Sequence, residues 1–261
     1  MSSKQGRLGA LISALILGVG SAACGGTAVT PDAGTTATTG GGTGGGGGGG
    51  GSGCWEGSTG GSSGSGGAGP AAPLVCEGPG PRYATHAVSA CFGGGETFGQ
   101  EAFPAPVLGP PKGDGCCSGS LDVVSLGDGG TVTLTFDGNA IVDGPGPDFL
   151  VFENAFDIGN DPMHPFAELG TVEVSDDGVS FVAFPCTAKA YPYGSCAGWH
   201  AVYGNLDDGV DPLDPAVAGG DPFDLADLGV HEARFVRITD RADMPGSFDL
   251  DAIAILHPAC P

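Results

Sequence analysis

Positive charge is scarce in this chain: 8 Lys and Arg stand against 30 Asp and Glu in 261 residues, a formal charge of −22. A nucleic-acid partner is thereby excluded as an expectation, because binding a phosphate backbone needs a basic footprint. Anionic lipid headgroups are disfavoured for the same reason. Aromatic residues make up 7% of the chain, with only 2 Trp and 4 Tyr, so few exposed ring platforms can exist. Also lacking is an apolar run of the roughly 18 to 20 residues that a membrane-spanning helix requires. The high glycine content shows no Gly-X-Y period, which removes a collagen reading.

What is present begins with Lys4 and Arg7, followed by the apolar run LGALISALILGVG (8–20) and the small residues Ser21, Ala22 and Ala23 before Cys24. This order predicts an export signal over 1–23. Two readings of its end are open: a lipobox in which the Cys24 thiol is lipidated, with Ser21 in place of the usual leucine, or an ordinary cleavage site near Ala23. Loss of Lys4 and Arg7 lowers the formal charge by two, to −24, and leaves Arg82, Lys112, Lys189, Arg234, Arg237 and Arg241. The expected location is the outer membrane or cell surface as a lipoprotein, with secretion as the alternative; contact with the membrane is through the lipid alone.

Nine cysteines become eight if Cys24 is lipidated, an even number suited to disulfides in an oxidising compartment. Zinc is the competing use, yet no C-x-x-C pair exists and the five histidines are scattered without ligand spacing. Cys186 and Cys196 bracket a short loop and could staple it, while Cys76 and Cys260 flank the domain and could tie its ends. Cys91, Cys116 and Cys117 are further disulfide candidates and Cys54 completes the eight; the adjacent Cys116 and Cys117 point to two different partners, and the connectivity is open.

Residues 24–73 are dominated by Gly, Ser, Thr and Ala, with an unbroken glycine run from Gly44 to Gly51; such a segment cannot bury enough apolar surface to fold and reads as a tether. Residues 74–261 have the length of one domain. Alternating patterns predict strands at 131–136 and 171–175, a turn at Asp176-Asp177-Gly178 and a returning strand at 181–184. Further strands are expected at 148–153, 233–240 and 250–256, with one helical turn at 223–228. Many short strands punctuated by Gly, Pro and Asp predict an all-β sandwich or jelly roll.

The acidic residues gather in loops beside Gly, Pro and Asn, where carboxylates and carbonyls can face a hard cation such as calcium. Three groups stand out: Asp143 to Asp148 with Glu153 and Asn154; Asn205 to Asp214 continuing to Asp221, Asp224 and Asp227; and Asp249 with Asp251. None is an EF-hand, since the loop at Asn205 lacks the fifth-position oxygen and the closing glutamate. The competing reading has these aspartates capping turns and solvating edges. The candidate metal ligands are Asp148, Glu153, Asp221, Asp224, Asp249 and Asp251. If Asp249 and Asp251 share one strand, they point to one face and both could reach one ion.

The segments SLGDGG (125–130), GPGPDFLVFENAF (144–156), VEVSDDGVSF (172–181), GDPFDLADL (220–228) and FDLDAI (248–253) carry a resemblance that spans residues 98–256. They resemble a group of bacterial secreted cell-surface proteins with a galactose-binding-like, discoidin-type jelly roll. That resemblance implies a structural calcium held by Asp251 or Asp249; the candidate partner is a glycan or another surface protein. Tyr191, Tyr193, Trp199 and Tyr203 cluster in or near the loop between Cys186 and Cys196; they either pack that loop or offer a sugar platform. No G-x-S-x-G elbow, H-E-x-x-H helix or phosphate loop is found, and the expectation is a binding module and not an enzyme. A structural envelope lipoprotein without a ligand is the alternative, and a glycosidase using two of the many carboxylates is the outsider.

Overall fold

The computed structural model describes residues 54–57, 73–95, 97–115 and 118–261. The export signal 1–23, Cys24, Cys116 and Cys117 lie outside these residues. In the largest sheet the spatial order is β1 (Cys54–Glu56), β2 (His86–Cys91), β4 (Thr131–Thr135), β13 (Phe235–Asp240), β9 (Gly170–Ser175) and β10 (Val182–Ala183), with every neighbour antiparallel. A second sheet places β6 (Phe149–Phe152) between β11 (Asp221–Phe223) and β15 (Ala252–Ile255). Two-stranded pairs complete the fold: β3 (Val124–Ser125) with β14 (Asp249–Leu250), β5 (Ile141–Val142) with β12 (Glu232–Ala233), and β7 (Phe156–Asp157) with β8 (Pro165–Phe166). Helical structure in the described residues is limited to short 3-10 turns such as Leu225–Leu228, where a helical turn was expected.

The two sheets differ in how they are buried, and the sequence pattern says why. Strand β13 alternates, with Val236, Ile238 and Asp240 buried and the residues between them half-exposed; this is the period-2 signature of a sheet covered on one face. On its outer face Arg237 lies 3.5 Å above the centroid of the Phe181 ring and 3.8 Å from Glu173. Strands β6 and β15 instead read as unbroken apolar runs, and all eight of their residues are buried. Phe149, Val151, Ile253 and Ile255 enter the main core with the inner face of the large sheet, whereas Leu150, Phe152, Ala252 and Ala254 pack under Val202, Ala218 and Leu213. The segment around 202–218 is therefore a second cover, placed over the outer face of the small sheet.

Disulfides join Cys76 to Cys260 and Cys186 to Cys196, the two pairs that spacing suggested, and Cys54 to Cys91. The last of these holds β1, a strand formed within the stretch read as tether, and Trp55 in that strand packs edge-on against Phe103 at 5.0 Å. By chain-entropy reasoning a cross-link spanning 184 residues, as Cys76–Cys260 does, removes about 5 kcal/mol of freedom from the unfolded chain.

The Asp-Gly hairpin forms as expected, with Val182 paired to Val174 and Gly178 at φ 71° in the left-handed region that glycine tolerates. The Asp177 carboxylate accepts hydrogen bonds from Ser180 N–H at 2.7 Å, Val179 N–H at 2.8 Å and the Ser175 hydroxyl at 2.9 Å. These donors favour the ionised form and lower its pKa to about 2. A depressed carboxyl supports the fold above its unfolded value of about 3.9 and loses that support as pH falls through the folded value. The turn should therefore stay closed at pH 4 and open towards pH 2. Amide chemical shifts of Val179 and Ser180 followed by NMR will report it, and Asp177→Ala should show the open-turn shifts at every pH.

Candidate functional site

The six acidic residues singled out as metal ligands fall into four separate places. Asp148 is fully buried immediately before β6. Its Oδ1 accepts hydrogen bonds from Gly144 N–H and from His257 Nδ1, each at 2.8 Å, and its Oδ2 from Leu225 N–H at 2.7 Å. Oxygens of Asp143 and Asp224 come within 4.8 Å of it, but Asp224 is occupied as the cap of the Leu225–Leu228 turn, accepting from Ala226 N–H. Asp148 thus fastens the 144–147 loop, the turn after β11 and the end of β15 to one point.

Asp221 is also buried, in β11. Its Oδ2 accepts from Gly198 N–H at 2.6 Å and Trp199 N–H at 3.3 Å, and its Oδ1 lies 2.7 Å from His200 Nδ1. Burial holds its pKa above the ordinary carboxylate range despite His200 and the two amides. Asp251 is buried in the break between β14 and β15, where Oδ2 accepts from Lys112 N–H at 3.0 Å and Oδ1 has no partner. Desolvation pushes this carboxyl up to about 8. The strand breaks at Asp251, and it and Asp249 meet different partners: Lys112 N–H for Asp251 and the Ser125 hydroxyl for Asp249.

Glu153 and Asp249 do meet, and they are joined by Glu168, a residue the sequence did not mark. Oxygens of the three carboxylates lie within 4.8 Å of one another. Glu153 follows β6 and is 2% exposed; its Oε1 accepts from Asp249 N–H at 3.1 Å and its Oε2 is buried without a hydrogen-bond partner. Desolvation raises its pKa well above the usual value, and the charges of Asp249 and Glu168 act in the same direction. Asp249 Oδ1 accepts from the buried Ser125 hydroxyl, its partner across the β3–β14 pair, at 2.5 Å. Glu168 Oε1 accepts from Ser247 N–H at 3.2 Å. Gly246, at φ 90°, leaves room for that carboxyl, since a Cβ at 246 would collide with it.

This group faces a surface pocket whose walls include Asn154, Glu168, Asp249, Ser120, Phe98 and Phe166. The Asn154 side-chain oxygen is a second buried acceptor without a partner. Nothing local in the sequence signals Glu168: it precedes β9 and reaches Glu153 and Asp249 only through the tertiary fold. By contrast the long acidic loop at 205–214 turns several of its side-chain oxygens to its own backbone. Asn205, Asp211 and Asp214 each accept from an N–H two residues further on, the Asx turns that such residues form in loops.

The aromatic candidates separate in a similar way. Tyr191, Trp199 and Tyr203 line a cleft of 490 Å³ together with His200, Asp157, Pro162 and Pro215. Tyr193 does not line it; it packs edge-on against Tyr191 and Trp199 at 6.4 and 6.0 Å. Trp199 is fixed by its indole N–H to Cys196 C=O at 2.9 Å, inside the disulfide-closed loop, and its ring lies 3.6 Å from the His200 ring. The Tyr203 hydroxyl donates to Asp157 at 3.1 Å. His200 and Asp157 were not expected to take part; both line the cleft. Among the described residues no helix is long and apolar enough to cross a membrane, and the three disulfides fit an extracytoplasmic compartment.

No protein-family model matches the chain, and no curated protein or solved structure matches it.

The hydrogen bonds of Asp148 give it a structural role that a variant can expose. Asp148→Ala leaves the Gly144 and Leu225 N–H groups and His257 without their acceptor, and should destabilise the domain by about 2–4 kcal/mol. Urea denaturation monitored by fluorescence will measure this loss, and added calcium should not restore it.

Proposed function

We propose that this chain is an exported, surface-tethered binding module that takes glycans in the cleft formed by Tyr191, Trp199, His200, Tyr203 and Asp157. The observation that carries the reading is the composition of that cleft. The exposed Tyr191 and the half-buried Trp199 and Tyr203 offer ring surface that suits the apolar faces of sugars, and the Asp157 carboxylate, His200 imidazole and Tyr203 hydroxyl suit sugar hydroxyl groups. The disulfide between Cys186 and Cys196 and the amides that Asp221 holds keep the loop bearing Trp199 in place, which limits the ordering cost of binding. The proposal includes a sandwich of the galactose-binding-like, jelly-roll type, a lipid anchor at Cys24, a tether through the Gly-rich segment and residence at the outer membrane or cell surface. It also includes calcium as the stabilising cofactor, because the unpartnered acceptors are all oxygens, the donors that hard cations prefer.

The charge distribution supports a partner that is neither nucleic acid nor lipid. Each of the six Lys and Arg residues in the described region is occupied: Arg82 by the carbonyls of Ile255 and Leu256, and the other five by carboxylates. No basic patch is assembled from them.

A panel of bacterial and host glycans, screened with the exported chain in calcium and again in chelator, tests the reading. Binding of a glycan should be weakened at least about tenfold, or ~1.4 kcal/mol, by Trp199→Ala, with the fold unchanged by circular dichroism. Absence of binding across glycans and cell-surface polymers would overturn it and leave a structural envelope protein.

A further inference from the structure

We propose that the pocket beside Asn154 holds one hard divalent cation of the calcium class on the carboxylates of Glu153, Glu168 and Asp249, with one side left open for a further oxygen ligand. This inference rests on the calcium part of the reading above, names its site, and is independent of the glycan cleft.

Geometry gives the first reason. Calcium takes oxygen ligands at roughly 2.3–2.6 Å, so two oxygens on opposite sides of one ion are separated by about 5 Å at most. The ligand atoms of Glu153, Glu168 and Asp249 all fall within 4.8 Å of one another, and one ion can reach all three. They come from the end of β6, the approach to β9 and from β14, so an ion here would cross-link three segments that are distant in sequence.

The second reason is independent of the clustering. Glu153 Oε2 is buried and has no hydrogen-bond donor, on a side chain only 2% exposed. The charges that act on it most from nearby are Asp249 and Glu168, of its own sign. A buried carboxylate oxygen without a donor is costly and is stabilised by ion pairing or metal coordination. The adjacent Asn154 supplies another buried, unpartnered oxygen on the wall of the same pocket. An amide oxygen beside three carboxylates makes a donor set of oxygen alone, which selects calcium or magnesium over zinc or copper.

The cluster of Asp143, Asp148 and Asp224 provides the contrast. Its ligand atoms also lie within 4.8 Å of one another, yet both oxygens of Asp148 already accept from amides and His257. A cation there would displace hydrogen bonds that tie the fold together. At Glu153 it would fill an unmet need.

The pocket in front of the carboxylates measures 340 Å³, large enough for several water molecules. An ion at its floor keeps coordination positions directed outward, and a carboxylate or a pair of hydroxyls from a ligand could replace the waters there.

Isothermal titration of the full exported chain, first stripped with chelator, provides the test. The expected result is one calcium ion bound per chain, with weaker response to magnesium. Glu153→Gln, which keeps the side-chain shape and removes its charge, should lower calcium affinity at least tenfold while its calcium-free form melts no lower than that of the native chain. Asp143→Asn should bind calcium as the native chain does. Luminescence lifetimes of bound terbium in light and heavy water should count two or more coordinated waters. Full calcium affinity in Glu153→Gln, or a loss that appears in Asp143→Asn instead, would overturn the placement while leaving the calcium reading intact. No calcium binding by the native chain would overturn both. A water count of zero would remove the open side.

Discussion

Burial of the strand Phe149–Phe152 on both faces is the constraint on which the rest of this structure depends. A strand in that position needs a cover on each side, and the chain supplies the large sheet on one and the segment around Val202 and Ala218 on the other. The flanking residues then have nowhere to go but inward. Asp148 at one end and Glu153 at the other are both carboxylates carried into the interior by the same strand. Burial of a charge has to be compensated, and the two ends differ in how that is done. Asp148 is surrounded by N–H groups and His257; Glu153 has the amides of Asn154 and Asp249, two carboxylate neighbours and one oxygen without a donor. The contrast between the two acids lies in the donors that the rest of the chain brings to each.

That origin explains what could be read from sequence and what could not. Strands at 131–135 and 170–175, the Asp177-Gly178 turn and the helical turn ending at Leu228 follow from local alternation and turn chemistry, and they stand where the pattern put them. The pairs Cys76–Cys260 and Cys186–Cys196 were legible because one closes a short loop and the other joins the domain's ends. β1 was not legible, since Cys54-Trp55-Glu56 is a short island in a glycine-rich stretch and forms a strand by pairing with β2 and bonding to Cys91.

The acidic residues show the same boundary more sharply. Their number and their loops pointed to cation chemistry, yet proximity along the chain was a poor guide to proximity in space. Asp249 and Asp251 are separated by a break in the strand, and Asp148 and Glu153 by the length of β6, while Glu168 joins Glu153 and Asp249 from a region with no acidic cluster. The cleft followed a similar course. Tyr191, Trp199 and Tyr203 were visible as the scarce aromatics of one loop, but Asp157 and His200 became their neighbours only once β7 and β11 were in place.

The bond between Cys54 and Cys91 also has a mechanical meaning. Strand β1 is three residues long and sits at the edge of its sheet, so its backbone hydrogen bonds alone would peel apart one after another under a pull from the N-terminal side. The disulfide sends such a load directly into β2, which is paired to β4 over its length. Tension entering from the N-terminal side would thus meet a covalent link first, and the hydrogen bonds of the edge strand would be shielded from it.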